Sequence, residues 1–157
     1  MSMLTIVNCI ISGGQTGADR GALDAAILLT IPHGGTCSRG RKADDGVIPP
    51  RYKLRESSSA DIDVRSEANI SNADGTLLLT FGRLTGSSKV AAELARKHRK
   101  PCLHLDLNLE ATEDAVRRVR EWLAENEVKV LNVSGSREGE SAGVYGAVKD
   151  LLLRVFG

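Results

Sequence analysis

The sequence has few aromatic residues and no excess of either charge. Aromatic residues make up 3% of the 157 residues, and 21 basic against 20 acidic residues give a net charge of +1. Duplex-DNA-binding domains usually carry a clear basic excess, and single-strand binding relies on aromatic stacking. We therefore expect no nucleic-acid partner.

Cysteines and long apolar runs are equally scarce. Cys9, Cys37 and Cys102 are far apart, odd in number, and form no zinc-type spacing. This usage is typical of a reduced, cytoplasmic protein rather than a disulfide framework. No apolar run approaches the ~20 residues that cross a bilayer. The N-terminal apolar run also lacks the basic segment of a signal peptide. We expect a cytoplasmic protein without membrane contact.

The chain is long enough to bury a core of its own. Its 157 residues correspond to one domain at the usual ~100–200 residues per domain. Its hydrophobic content, 41%, is ordinary for a globular protein. We predict a single domain spanning residues 1–157.

Strand-like and helix-like segments alternate along most of the chain. The predicted strands are residues 5–11, 75–81, 102–107 and 128–133, and the predicted helices are residues 18–29, 88–97, 113–125 and 142–156. Residues 31–71 lack a long periodic run, so we predict an ordered loop with one or two short strands, one near 62–65. The alternation predicts parallel strands joined by right-handed crossovers. The fold class is therefore α/β, a Rossmann-like three-layer α/β/α sandwich with a mostly parallel central sheet.

Three glycine-rich or polar loops follow predicted strands, at residues 12–20, 82–88 and 134–138. Ligands of parallel sheets bind at the carboxyl ends of the strands. Glycines admit phosphate oxygens, and the free N–H groups of a helix N-terminus attract anions. We predict a phosphate or nucleotide pocket, although tight turns with helix caps would explain each loop separately. The candidate ligand-binding residues here are Gly13, Gly14, Gln15, Thr16, Gly17, Asp19, Gly82, Thr85, Gly86, Ser87, Gly135, Arg137 and Glu138.

A second cluster of charged residues falls inside the long loop. Arg39 and Arg41 could clamp a phosphate, because arginine is its bidentate donor. Asp44 and Asp45 could hold a ribose hydroxyl or Mg²⁺. A solvated, mutually paired charge run is the alternative. Cys37 beside them is expected to be a small packing residue, with an activated thiolate as the less favoured interpretation.

The run ISGGQTGADRGALD at residues 11–24 and the run LNVSGSRE at 131–138 resemble the family of putative molybdenum carrier proteins. The resemblance covers nearly the whole chain and implies a Rossmann-like, oligomeric, non-enzymatic carrier. Its ligand would be molybdenum cofactor (molybdopterin), a phosphorylated pterin with a dithiolene-held metal, or a nucleotide-derived molecule. In this interpretation Gly13–Gly17 would hold phosphate and Arg39 and Arg41 would add charge. The carboxylates that would orient hydroxyls or a metal such as Mg²⁺ are Asp19, Asp45 and Asp74.

Two other functions stay open. The same superfamily includes nucleotide phosphoribohydrolases with a PGGxGTxxE loop, in which the glutamate supports glycosidic cleavage. If Ser88 takes the threonine place of that motif, Ala91 takes the glutamate place, so the hydrolase is less favoured. A nucleotide-sensing or regulatory subunit is the third interpretation. We also expect a homo-oligomer, from the resemblance and from the apolar stripe of the last helix together with Trp122.

The sequence departs from the family pattern at Thr36, Ser38, Ser87 and Ser88. An aromatic residue is usual at position 36, where its ring would stack on a pterin or base. The departures leave phosphate recognition by residues 13–20 untouched, whereas the residue at position 36 no longer favours ring recognition by its loop.

Overall fold

The structure is a computed structural model that describes residues 7–157. Its strands are β1 Cys9–Ile11, β2 His33–Gly34, β3 Thr36–Cys37, β4 Lys42–Ala43, β5 Gly46–Val47, β6 Arg55–Glu56, β7 Gly75–Thr80, β8 Cys102–Asp106 and β9 Val130–Gly135. Its helices are α1 Ala18–Leu28, α2 Ile62–Asn72, α3 Gly86–Lys97, α4 Thr112–Glu125 and α5 Val144–Phe156. Thr5 and Ile6, the start of the first predicted strand, lie outside the described residues.

Five of these strands form a central sheet in the order β2-β1-β9-β7-β8, and every pairing in it is parallel. The last strand, β9, therefore lies between β1 and β7. All six residues of β7 are buried, which suits a strand covered on both faces by helices. The predicted Rossmann-like α/β fold is confirmed.

Alternate residues of the sheet face different helix layers. Leu77 and Leu79 belong to the large core with α1, α4 and α5, whereas Leu78 packs with α2 and α3. The apolar stripe of α5, residues 144–155, is buried in the large core. The stripe therefore serves this chain's own core, where each fully buried Leu or Val contributes about 1.5–3 kcal/mol. No helix in residues 7–157 combines the length and the apolarity that a membrane crossing requires.

The predicted strand near residues 62–65 is wrong, because the structure has helix α2 there. Its N-cap residue Asp61 accepts a hydrogen bond from the Asp63 N–H at 2.9 Å, an ordinary start signal. The buried residues of α2 are Arg65, Asn69 and Ile70, two of them polar. An apolar stripe of helical period was therefore missing from the sequence.

Candidate functional site

The three predicted loops meet around Ser136 at the carboxyl edge of the sheet. The Ala18 N–H donates to the Ser136 carbonyl at 3.0 Å, which joins the β1–α1 loop to the β9–α5 loop. The Ser136 N–H donates to the Leu79 carbonyl at 3.2 Å, and the Phe81 N–H donates to Ser136 Oγ at 3.2 Å. Ser136 thus connects all three loops.

Protein atoms occupy the space beside each glycine of the first loop. A Cβ on Gly17 would lie 2.4 Å from the Ser136 carbonyl oxygen, and a Cβ on Gly14 would lie 2.7 Å from Leu54 Cδ1. A Cβ on Gly13 would lie 1.8 Å from Arg65 Nη1. Packing within the chain therefore accounts for all three glycines without a ligand.

The polar groups of the first loop mostly bind one another. Gln15 Oε1 accepts from the N–H groups of Thr16 at 2.9 Å and Asp44 at 2.8 Å, and the Gln15 N–H donates to Asp19 Oδ2 at 3.1 Å. Gly17 is the N-cap residue of helix α1, and no side chain, that of Thr16 included, forms a cap hydrogen bond there. Among the described residues, the buried Thr16 Oγ1 has no hydrogen-bond partner. Two N–H groups expected to bind phosphate are thus already satisfied.

Asp45 is held by Arg20, a residue that the sequence reasoning did not select. The Arg20 guanidinium forms a bidentate pair with Asp45 at 2.9 and 3.0 Å, and its Nε donates to the Gly14 carbonyl at 2.7 Å. The hydrogen bonds from Arg20 lower the pKa of the Asp45 carboxyl. Arg20 therefore fastens the β4–β5 hairpin to the first loop.

Three other predicted residues lie away from the meeting point of the loops. Arg41 donates to four backbone carbonyls within residues 48–54, so its guanidinium holds that loop together. Arg39 is exposed. Asp74 accepts from the backbone N–H groups of residues 129–130 at the amino ends of β7 and β9, the opposite edge of the sheet. The structure does not bring Asp74 to the carboxyl edge.

A cleft of about 480 Å³ separates the β7–α3 loop from the β9–α5 loop. Its lining residues are Phe81, Gly82, Arg83, Thr85, Gly86, Ser87, Ser88, Gly135, Ser136, Arg137, Glu140 and Ser141. Gly82 and Gly86 have φ of 96° and 51°, and no atom lies within 4 Å of a Cβ built on either residue. Open space rather than protein therefore faces these two glycines.

The electrostatics of this cleft favour an anion. It contains the N-terminus of α3, where a capping box between Thr85 and Ser88 satisfies the N–H groups of these two residues, while the N–H groups of Gly86 and Ser87 have no hydrogen bond within the described residues. Arg83 is exposed and, in the described part of the chain, forms no ion pair within 4 Å. Arg137 is paired with two carboxylates, Asp44 and Glu140, each at 3.4 Å, so a ligand would use its remaining N–H donors or displace one of these pairs. Backbone donors, hydroxyls and two guanidinium groups thus converge on one space.

Side chains of β7 and β8 fix the backbone of Gly82. The Thr80 hydroxyl donates to the Gly82 carbonyl at 2.5 Å, and His104 Nε2 lies 2.7 Å from Thr80 Oγ1. The Gly82 N–H donates to Asp106 Oδ1 at 2.9 Å. Burial lowers the pKa of His104, although Asp106 opposes the shift. The loop is therefore preorganised.

A second cleft, of about 460 Å³, lies on the other side of the β9–α5 loop. In this cleft the Tyr52 hydroxyl donates to Asp24 Oδ1 at 2.7 Å, and the Tyr145 hydroxyl donates to Asp24 Oδ2. Burial raises the pKa of Tyr145 to about 12. Glu138 accepts from the N–H groups of Gly143 at 2.7 Å and Tyr145 at 2.9 Å, so it caps α5. No sequence pattern points to the two tyrosines. Arg20 and Asp24 stand four residues apart on one face of α1, and this spacing was the signal that could have identified them.

Two residues of β3, Thr36 and Cys37, are buried. Thr36 is buried in β3, where its backbone N–H and carbonyl pair with the Asn69 amide at 2.7 and 2.9 Å. Cys37 is fully buried, and burial raises its pKa, as fits a packing residue. Within residues 7–157, no three or more His, Cys, Asp or Glu side chains gather in a group that could hold a metal ion.

Comparisons with known proteins agree with this fold. A family model described as the circularly permutated YpsA SLOG family matches residues 10–156. The chain is also similar to a crystal structure, at 1.45 Å resolution, of a putative molybdenum carrier protein from Syntrophus aciditrophicus SB. That match has 43% identity and a TM-score of 0.93, and it covers 96% of this chain and 95% of the other. Among curated proteins, none matches significantly.

Proposed function

Because the chain belongs to the circularly permutated YpsA SLOG family, we propose that it binds a phosphorylated small molecule in the cleft between the β7–α3 and β9–α5 loops. The observation that carries this proposal is the open space at Gly82, which precedes α3, and at Gly86, the first residue of α3. A phosphate there would accept from backbone N–H groups and from Arg83 and Arg137. The neighbouring Gly13–Gly17 loop would pack against the β9–α5 loop and support it, rather than hold the phosphate.

Molybdenum cofactor is the first ligand to consider, since the similar S. aciditrophicus protein is described as a putative molybdenum carrier. The residues fit its organic part, because the anion donors suit the phosphate and Phe81 offers an apolar surface to a ring. The described residues that line the cleft include no cysteine or histidine. The metal, as cargo, would therefore stay on the dithiolene of the pterin. A nucleotide would use the same donors.

We propose a carrier rather than a hydrolase. Ala91 is 3% exposed and stands in α3 at the place that the phosphoribohydrolase motif gives to a glutamate. The carboxylate that lines the cleft is Glu140, which lies on the other loop beside Arg137. Without a carboxylate at position 91 of α3, the chain binds a phosphorylated ligand and releases it unchanged.

The test begins with mass spectrometry of the small molecule that co-purifies under native conditions, with elemental analysis for molybdenum. Calorimetric titration with AMP then compares the wild type with Arg83→Ala. Losing one charge-assisted hydrogen bond of about 1.5–3 kcal/mol should weaken binding about 10–100-fold. The matched control is Arg96→Ala, which removes an exposed arginine at the other end of α3.

Equal AMP affinity of the wild type and Arg83→Ala would contradict the assignment of the cleft. Release of adenine from AMP would contradict the carrier and support the hydrolase. A co-purified pterin with molybdenum would support the carrier, and a co-purified nucleotide would support the sensor.

That residues 1–157 form one domain, that the chain is cytoplasmic and that it forms a homo-oligomer stay predictions. The stripe of α5 no longer supports the oligomer, because it is buried within the chain. Light scattering at micromolar concentration measures the oligomeric state directly.

A further inference from the structure

Strand β8, Cys102–Asp106, is an edge strand of the central sheet, and part of its backbone is unpaired on the outer side. The Thr76 N–H of β7 donates to the Pro101 carbonyl at 3.0 Å, which sets the phase of the β7–β8 ladder. Backbone groups point to alternate sides along a strand, so the odd-numbered residues of β8 face β7 and the even-numbered residues face outward. The N–H and carbonyl groups of Cys102 and His104 therefore have no hydrogen-bond partner among the described residues.

The two edges of the sheet differ in how they are protected against pairing with another chain. At the opposite edge, β2 has two residues, and a short edge strand offers little to pair with. The β8 edge is longer, and its residues Cys102–Leu105 include no acidic residue, lysine, arginine or proline. Leu109, which is 83% exposed, lies on the same outer side, because its N–H donates to the outward Asp106 carbonyl at 3.0 Å. An uncharged edge strand with apolar surface beside it is suited to pairing with a second strand.

A second copy of this chain fits this edge in one antiparallel register. The turn after β8 occupies the Asp106 carbonyl, so Cys102 and His104 are the outward residues of β8 whose N–H and carbonyl groups are both free in the described chain. A twofold axis at Leu103 places Cys102 opposite His104 of the partner subunit and satisfies all of these groups. The same register places Lys100 opposite Asp106 of the partner subunit. Opposite charges therefore face each other at both ends of the paired strands, which stabilises this register.

We infer that the chain forms a symmetric dimer through β8, in which the two central sheets join into one continuous antiparallel contact. The side chain of Leu103, partly buried against the large core, would then be covered by its symmetry mate. The inference is independent of the α3 cleft, because no residue of β8 lines that cleft. It also gives the expected homo-oligomer a surface, whereas the buried stripe of α5 does not.

The first experiment compares Cys102→Pro with Cys102→Ala by sedimentation equilibrium at micromolar concentration. Proline is tolerated at the first residue of an edge strand whose N–H faces solvent, so a monomer should accept Cys102→Pro. In the dimer the same substitution removes an N–H donor from each copy and places a ring at the contact. We expect dimers for the wild type and for Cys102→Ala, and dimerisation weakened about tenfold or more in Cys102→Pro. Thermal melts establish that both variants are folded.

Amide hydrogen exchange measured by NMR reads the same contact at single residues. The His104 N–H should exchange slowly in the dimeric Cys102→Ala and rapidly in Cys102→Pro. The Leu105 N–H, which faces β7, should stay protected in both variants and is the internal control.

Disulfide trapping tests the register. Two residues on the axis form a non-hydrogen-bonded pair with Cα atoms about 4.5 Å apart, inside the range of about 4.4–6.8 Å that a disulfide spans. In a Cys102→Ser background, Leu103→Cys should therefore form a reducible covalent dimer on oxidation. His33→Cys in the same background places the thiol on the opposite edge of the sheet and should not.

A monomeric wild type would overturn the inference, and so would a dimer that Cys102→Pro leaves intact or that Leu103→Cys does not trap. A monomer whose His104 N–H is protected would show that another segment of the chain covers β8, and would overturn the dimer as well. The AMP titration of Arg83→Ala tests the α3 cleft separately, so either proposal can fail without the other.

Discussion

Gly17 and Gly82 form a matched pair that separates glycines required by packing from glycines that face open space. Both have positive φ, 86° and 96°. A Cβ on Gly17 would lie 2.4 Å from the Ser136 carbonyl oxygen and 2.7 Å from the Glu138 backbone nitrogen. A Cβ on Gly82 would meet nothing within 4 Å. Substitution by alanine adds the same methyl group to two different surroundings.

The expected losses of stability follow from these contacts. Positive φ costs an alanine about 1–2 kcal/mol at either position. At Gly17 the methyl also pushes apart two backbone segments, at about 1–3 kcal/mol, and weakens the hydrogen bond from Ala18 to Ser136, at about 1 kcal/mol. We therefore expect about 3–6 kcal/mol for Gly17→Ala and about 1–2 kcal/mol for Gly82→Ala.

Urea denaturation measures both free energies of unfolding, and thermal melts provide a second measurement. In a domain of this size 1 kcal/mol shifts Tm by about 2–4 °C, so Gly17→Ala should melt at least about 6 °C below the wild type. Titration with AMP completes the comparison, since the Gly82 methyl stands in the cleft and should weaken binding. Equal destabilisation by the two substitutions would refute the argument that packing fills the first loop and leaves the second open.

Three further predictions concern stability. Tyr52→Phe removes one of the two hydroxyls that donate to Asp24, and urea denaturation should show a loss of about 1–2 kcal/mol; no loss would mean that this contact holds nothing together. Because the pKa of His104 is lowered in the folded protein, the unfolded chain binds more protons than the folded chain just below the ordinary histidine pKa of 6.5. Stability should therefore fall as pH falls from 6.5 through the folded pKa, and His104→Gln, which keeps a donor for Thr80, should flatten that part of the pH profile. The pKa of Asp45 is also lowered, so stability should fall as pH falls below the ordinary aspartate pKa of 3.8, and Asp45→Asn should reduce this acid dependence. The effect should be small because half of the Asp45 side chain is exposed. An unchanged pH profile would contradict the role given to Arg20.

The long periodic elements could be predicted from the sequence because burial imposes their pattern. Strand β7 and helix α5 are buried along their length or along one face, and both were predicted within two residues of their observed bounds. The order of the strands could not be predicted, because the insertion of β9 between β1 and β7 depends on the packing of whole layers. Helix α2 was missed because its buried face carries Arg65 and Asn69.

The positions of Asp74 and Arg41 could have been predicted from general rules of sheet and loop structure. Asp74 directly precedes β7, and the amino ends of parallel strands lie at the edge opposite their carboxyl ends, so its position could have been predicted. Arg41 was selected as a phosphate clamp, but the carbonyls within residues 48–54 take its donors. A long ordered loop needs internal donors for its carbonyls, and an arginine inside it commonly supplies them.

The glycine-rich loops carry the most general lesson, because one cue in the sequence has two physical causes. A glycine is required wherever a side chain would collide, whether the colliding atoms belong to a ligand or to the chain itself. At Gly14 and Gly17 the atoms belong to residues far away in sequence, so nothing in the run at 11–24 could reveal them. At Gly82 and Gly86 no protein atom occupies the space, and the N-terminus of α3 opens onto it. The run that most clearly identifies the family thus shapes the scaffold, while the less distinctive loop offers the donors that a phosphate would need.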